Sequence, residues 1–100
     1  MEFKTRELDF HNWLTSNNTP KKLCSDYISR LKRLEHSLED CDLDEEYEKD
    51  KCISLLELFN KSGQNKKMAS RHIGSLPIGK YHIATYKYAI NKYLEFLTSN

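Results

Sequence analysis

Apolar residues recur at helical spacing in four stretches of the chain, and the few glycines and prolines stand between these stretches. Apolar positions three and four apart share one face of a helix, because 3.6 residues complete a turn. The pattern predicts helices over about 5–16, 19–38, 53–63 and 81–98. Their expected core stripes are Phe10, Trp13 and Leu14; Leu23, Tyr27, Leu31, Leu34 and Leu38; Ile53, Leu56 and Phe59; and Ile83, Tyr86, Ile90, Leu94 and Leu97.

The residues between these stretches include helix-starting and helix-ending types that support the same boundaries. Thr19 and Pro20 are suited to a helix start, since threonine caps free N–H groups and proline tolerates the first helical position. Gly63 is suited to a helix stop. An acidic connector, 39–50, and a basic stretch, 60–79, complete the chain, and the latter is too long for an ordinary bundle turn. We therefore expect an all-α fold: one domain, 1–100, with four helices and a long basic loop between the third and fourth.

The composition favours a single well-solvated domain. The chain has 100 residues, of which 38% are apolar and 31% charged, and its mean hydropathy is −0.78. No apolar run is long enough for a signal peptide or a membrane span. Three widely spaced cysteines are an odd number and argue against a secreted disulfide framework. These features predict a cytoplasmic protein with no membrane association.

The net charge of +1 conceals a strong segregation of charge along the chain. Residues 19–36 carry five bases and two acids, whereas residues 37–57 carry nine acids and two bases. Residues 58–93 carry seven bases and no acid. A long basic segment with interleaved aromatic residues is typical of a phosphate-binding surface.

This segregation admits three interpretations. The bases could bind the phosphates of DNA, they could be a solvated face that pairs with the acidic connector, or the two charged regions could be sides of a protein interface. For the first, the predicted DNA contacts are Lys22, Arg30, Arg33, Lys66, Lys67, Arg71, Lys80 and Lys87. For the last, the acidic connector or the apolar residues 76–78 would dock a protein partner or a second copy of the chain.

The sequence advertises no catalytic or metal centre. Asp40, Asp42 and Asp44 alternate like calcium ligands, but Glu45 and Lys51 stand where an EF-hand needs glycine and glutamate. We expect these acids to stabilise a nearby helix N-terminus instead. The histidines and cysteines lack zinc-site spacing, and no phosphate loop or nucleophile motif is present. No enzyme activity, metal or cofactor is predicted.

The tyrosines divide into two groups. Tyr27, Tyr86 and Tyr93 lie on apolar stripes, where a packed ring with a satisfied hydroxyl is the usual arrangement. Tyr81 and Tyr88 are less clearly on the core face. Either could stack or hydrogen-bond at a nucleic-acid surface.

Two segments, FHNWLTSNNTPKKLCSDYISRLKRLEHSL and YKYAINKYLEFL, resemble the core-binding domain of phage-integrase-type tyrosine recombinases. The resemblance rests on a short F-x-x-W-L-like helix, a threonine-capped helix with a tyrosine and spaced leucines, and a late Y-L-x-F-L-like run. Similar helical modules precede nuclease domains in some restriction-type proteins. The matching positions here are Phe10, Trp13 and Leu14; Thr19, Tyr27, Leu31 and Leu34; and 93–97.

The resemblance implies a four-helix, SAM-like bundle that grips one side of a DNA duplex with its second and fourth helices. It implies a part or a derivative of an integrase or restriction-type protein. The chain ends at Asn100, where the family's catalytic domain would begin, so we expect no strand transfer. The function expected is phosphate-directed DNA binding with slight sequence readout. The alternative is a phage or mobile-element accessory protein that binds another protein.

Overall fold

The computed structural model describes residues 3–39, 41–74 and 76–99, and within these ranges the chain folds into helices without a β-strand. The all-α prediction is confirmed. The described helices are α1 (Phe3–Ser16), α2 (Lys21–Ser37), α3 (Leu43–Asp50), α4 (Ile53–Glu57), α5 (Lys66–Arg71) and α6 (Ala84–Thr98). Short 3₁₀ turns at Asn60–Gly63 and Tyr81–Ile83 precede α5 and α6. The predicted count of four helices is thus too low for the described chain.

Helices α1, α2 and α6 pack together and form the larger part of the core. The Phe10 ring meets the Tyr93 ring edge-on, with centroids 5.3 Å apart, and Trp13 meets Phe96 at 5.8 Å. These pairings make α1 and α6 parallel, while the short 17–20 connection returns α2 antiparallel to α1. The predicted stripes of α1 and α6 therefore face one shared core.

The core stripe of α2 differs from the prediction at its first turn. Leu31, Leu34 and Leu38 are buried as expected, but Leu23 is 40% exposed and Cys24 is buried in its place. The helix begins after Pro20, without a side-chain cap from Thr19. Leu23 consequently lies on the part of α2 that faces α6 and solvent.

The acidic connector contains α3, which the sequence pattern did not predict. Asp42 caps this helix, because its carboxylate accepts hydrogen bonds from the backbone N–H groups of Asp44 at 3.0 Å and Glu45 at 3.2 Å. Asp44, Glu45 and Glu46 occupy the first turn, where carboxylates interact favourably with the helix dipole. The expected dipole role of these acids is confirmed for α3, and Asp40 lies outside the described residues.

The third predicted helix is shorter than expected and buries a different face. Lys51 and Cys52 adopt left-handed backbone conformations, with φ of 56° and 65°, and α4 then runs only from Ile53 to Glu57. The two left-handed residues separate α3 from α4. In α4 and at its C-cap, Leu55 and Leu58 are buried, whereas Ile53 is 59% exposed. The predicted core position of Ile53 is therefore wrong, because the buried face of α4 runs through Leu55 and Leu58, and Ile53 lies about 200° around the helix from Leu55.

The stretch predicted as a long basic loop contains α5. Asn65 caps this helix by accepting a hydrogen bond from the Met68 N–H at 2.9 Å, and it donates to the carbonyls of Leu58 and Asn60. Met68 is fully buried, and Leu76 is also in the core. The stretch is therefore attached to the fold at several points: within 76–78, Leu76 is buried and Ile78 is partly buried against the core.

None of the described helices has the length and apolar character required to cross a membrane.

Candidate nucleic-acid interface

A surface groove runs between α2 and α6 and consists of two adjoining hollows. The first, the arginine pocket, has a volume of about 500 Å³ and is lined by Asp26, Ser29, Arg30, Arg33, His82, Thr85 and Tyr86. The second, the tyrosine shelf, has a volume of about 340 Å³ and is lined by Leu23, Asp26, Tyr27, Arg30, Thr85 and Tyr88. Asp26, Arg30 and Thr85 border both hollows, which makes the groove continuous.

Arg33 is held across the arginine pocket by Tyr86. Its Nη1 donates a hydrogen bond of 3.2 Å to the Tyr86 hydroxyl, and this bond raises the pKa of the guanidinium above its ordinary value. The Tyr86 ring is buried, so the hydroxyl is a fixed acceptor at the wall of the pocket. The predicted core packing of Tyr86 with a satisfied hydroxyl is confirmed. The remaining guanidinium N–H groups of Arg33 stay exposed to the groove and to solvent.

Arg30 lies one turn before Arg33 on the same face of α2, and it borders both hollows. Among the described residues, neither arginine forms a salt bridge with a carboxylate. Asp26 is the acid that lines the groove, and His82 lies on the opposite wall. The groove therefore carries two guanidinium groups against one carboxylate, a local excess of positive charge.

Three of the lysines predicted to contact DNA have different positions relative to this groove. Lys22 is exposed and shares a face of α2 with Asp26, Arg30 and Arg33, because these positions are three and four apart. Lys80 is exposed just before the turn that carries His82. Lys87 lies two residues after Thr85, about 200° around α6, and so points away from the groove.

A second basic hollow, the α4–α5 depression, has a volume of about 470 Å³ and is lined by Glu57, Asn60, Lys61, Gln64, Asn65, Lys66 and Lys67. Lys66 is exposed there, whereas Lys67 forms a 3.0 Å salt bridge with Glu57. The 3₁₀ turn at 60–63 packs against the turn at 81–83, next to the N-terminal end of α6. Gln64, which lines the depression, lies against Gly79, so the depression is close to Lys80.

Arg71 has a different environment from the other predicted DNA contacts. Its Nη2 lies 3.1 Å from Glu46 Oε1, and its guanidinium donates to the Glu39 carbonyl. The Arg71 side chain is only 24% exposed, and that of Glu46 only 7%. Arg71 thus joins α5 to α3 and stabilises the fold.

Sequence patterns alone did not identify three groove residues. His82 and Thr85 are isolated polar residues, and Tyr86 has the spacing of a core residue. Antiparallel packing of α2 on α6 brings them opposite Arg30 and Arg33. Tyr88, predicted as a residue able to stack, is 68% exposed beside the tyrosine shelf. The Tyr81 side chain lies outside the part of the chain that the structure describes.

The described residues contain no group of three or more metal-ligating side chains. Burial raises the pKa of both the Cys41 and the Cys52 thiols to about 12. Thiolate is the form that ligates metals and attacks electrophiles, and both thiols are protonated near neutral pH. What the groove offers chemically is a set of hydrogen-bond donors and positive charge for an anion.

Comparison of the chain with protein-family models, with curated proteins and with solved structures finds no match.

Proposed function

We propose that this chain is a non-catalytic DNA-binding domain that holds DNA through its phosphates at the α2–α6 groove. The observation that carries the proposal is the pair Arg30 and Arg33, which share one groove and have no salt bridge to a described carboxylate. Guanidinium groups are planar and match two phosphate oxygens at once. A phosphate in the groove would offset the excess positive charge of the two arginines.

The surroundings of the groove support a polymer of phosphates as the ligand. Lys22 extends the positive face along α2, while Lys80 and Lys66 extend it past the N-terminal end of α6. Sites separated along a surface suit a ligand whose charges repeat, as they do along a DNA backbone. Side chains on helices fix the orientation of the duplex, whereas base-specific contacts are few.

Salt dependence of binding provides the first test. We expect fluorescence anisotropy with a labelled 20-base-pair duplex to show binding that weakens with salt. If about five phosphates are neutralised, log K should fall with log salt at a slope of about −4 to −5. A slope near zero would exclude binding through phosphates.

Two variants with the same change in net charge test whether DNA binds at the α2–α6 groove. Arg30→Gln with Arg33→Gln removes two positive charges from the groove, and Lys49→Gln with Lys87→Gln removes two from exposed positions outside it. Loss of two counterion-releasing contacts should weaken binding by about 50-fold near 0.1 M salt for the groove variant. The control variant should change affinity by only a few-fold. Equal losses in both variants would indicate attraction to a diffuse positive field and would contradict a groove site.

The alternative of a protein-binding module makes a different prediction. Glu45 and Glu48 are exposed acids of the connector on α3 that a partner could reach, whereas Asp44 and Glu46 are buried. Glu45→Lys with Glu48→Lys should leave DNA binding unchanged or strengthen it. Absence of DNA binding at low salt in the wild type would favour a protein partner instead.

A further inference from the structure

We infer that the tyrosine shelf binds an unpaired base of single-stranded DNA, stacked on Tyr88, while the adjoining phosphate lies between Arg30 and Arg33. This inference rests on the proposed DNA-binding function and specifies it, because it assigns the groove to a strand whose bases are free. The combination of an exposed ring and paired guanidinium groups in one continuous groove carries it.

Tyr88 has the placement that a stacking residue requires. It is 68% exposed on a regular helix, and Leu23 on the facing helix is 40% exposed beside the same hollow. Tyr27 lines the same hollow and is partly buried against the core. Aromatic rings in water-exposed grooves stack on bases without sequence preference, since every base has a π-face. The shelf therefore combines apolar side chains with the exposed ring of Tyr88.

Arg30 connects this ring to the phosphate site. It borders both the tyrosine shelf and the arginine pocket, so a base on Tyr88 and a phosphate at Arg33 would lie on either side of it. The two hollows, at about 340 and 500 Å³, each fall within the range of small-molecule sites. Bases inside a duplex are stacked on their neighbours, so only an unpaired base can reach the shelf.

The experiment compares two DNA molecules that differ only in bases. Both are the same 20-base-pair duplex with a five-nucleotide single-stranded overhang; in one the overhang carries bases, and in the other it is abasic. The number of phosphates is identical, so a difference in affinity reports contacts to bases. We expect the overhang with bases to bind about 5- to 100-fold more tightly.

Variants at position 88 assign that difference to the ring. Tyr88→Ala should bind both overhangs equally, whereas Tyr88→Phe, which keeps the ring, should retain the preference. Because Tyr88 is exposed, neither substitution removes core packing, and thermal unfolding of each variant checks this directly.

The outcomes separate this inference from the proposed function. Binding of duplex with equal affinity for both overhangs would overturn base stacking and leave phosphate binding intact. A preference for bases that survives in Tyr88→Ala would place the base elsewhere and overturn the assignment to the shelf. No binding of either DNA at low salt would overturn both proposals.

Discussion

The hydroxyl of Tyr93 donates a 2.7 Å hydrogen bond to the carboxylate of Asp44, and this contact joins the middle of α6 to the first turn of α3. Arg6 on α1 donates to the same carboxylate at 2.9 Å. Burial and the bond to Asp44 together raise the pKa of Tyr93 above its ordinary value, so the hydroxyl remains a donor at neutral pH. Three helices thus share one largely buried carboxylate that has two donors.

Replacing Tyr93 with phenylalanine removes the hydroxyl and leaves the ring packed against Phe10. A buried carboxylate that loses a donor retains its desolvation cost, so we expect a loss of about 1.5–3 kcal/mol in the free energy of unfolding. Urea denaturation measures this loss. Tyr88→Phe serves as the matched control, since that hydroxyl is exposed and its removal should cost little. Equal stabilities of the two variants would show that the Asp44 contact contributes nothing.

Arg71 should be required for stability. Arg71→Leu leaves Glu46 with an unpaired buried charge, which we expect to cost about 2–3 kcal/mol, below the range for fully buried pairs because Arg71 keeps some exposure. Adding Glu46→Leu should restore much of the loss. Denaturant unfolding of the single and double variants measures both effects. A double variant no more stable than the single one would contradict this account.

Stability should fall as the solution becomes alkaline. The Cys41 and Cys52 thiols have pKa values of about 12 in the folded protein, above the ordinary thiol value of about 8.5. As pH rises, the unfolded chain therefore releases these protons before the folded chain does. The contribution of the two thiols to the free energy of unfolding is fully present below about pH 8 and is lost progressively between about pH 8.5 and 12. Thermal unfolding from pH 7 to 10.5 should show a steeper decline for the wild type than for Cys41→Ala with Cys52→Ala. Parallel declines would exclude the thiols as the cause.

The carboxylate of Asp26 should oppose DNA binding. It borders both hollows of the groove, so it would repel a phosphate bound there as proposed. Asp26→Asn should strengthen binding about two- to five-fold, the effect of removing one charge at short range in a solvated site. Asp9→Asn, at an exposed position on α1, changes net charge equally and should have a smaller effect. Anisotropy titrations at one salt concentration compare the two.

The short helices show where prediction from the sequence reached its limit. Helices α3 and α5 have only eight and six residues, and both are rich in polar side chains. Isolated helices of this length are marginal in water, so tertiary contacts stabilise them. Asp44 anchors α3 through Tyr93, and buried Met68 anchors α5 in the core. Neither contact leaves a periodic pattern in the sequence.

The charge of the proposed DNA site could be predicted from the sequence, but its position in the fold could not. The basic character of 58–93 and the arginines of α2 are visible in the sequence. Arg33 and Arg71 carry the same charge there, yet Arg33 meets a tyrosine hydroxyl and remains exposed, whereas Arg71 meets a buried carboxylate. The difference comes from partners 53 and 25 positions away in the chain.

The sequence by itself determined the all-α class and the three long helices, because a 3.6-residue period is a local property that burial of one face converts into structure. It also determined the total charge and its segregation along the chain. The tertiary structure alone decided which basic side chains remain available to a ligand and which ones neutralise a buried acid. It did so because packing sets each side chain's partners, and packing depends on residues far apart in the sequence.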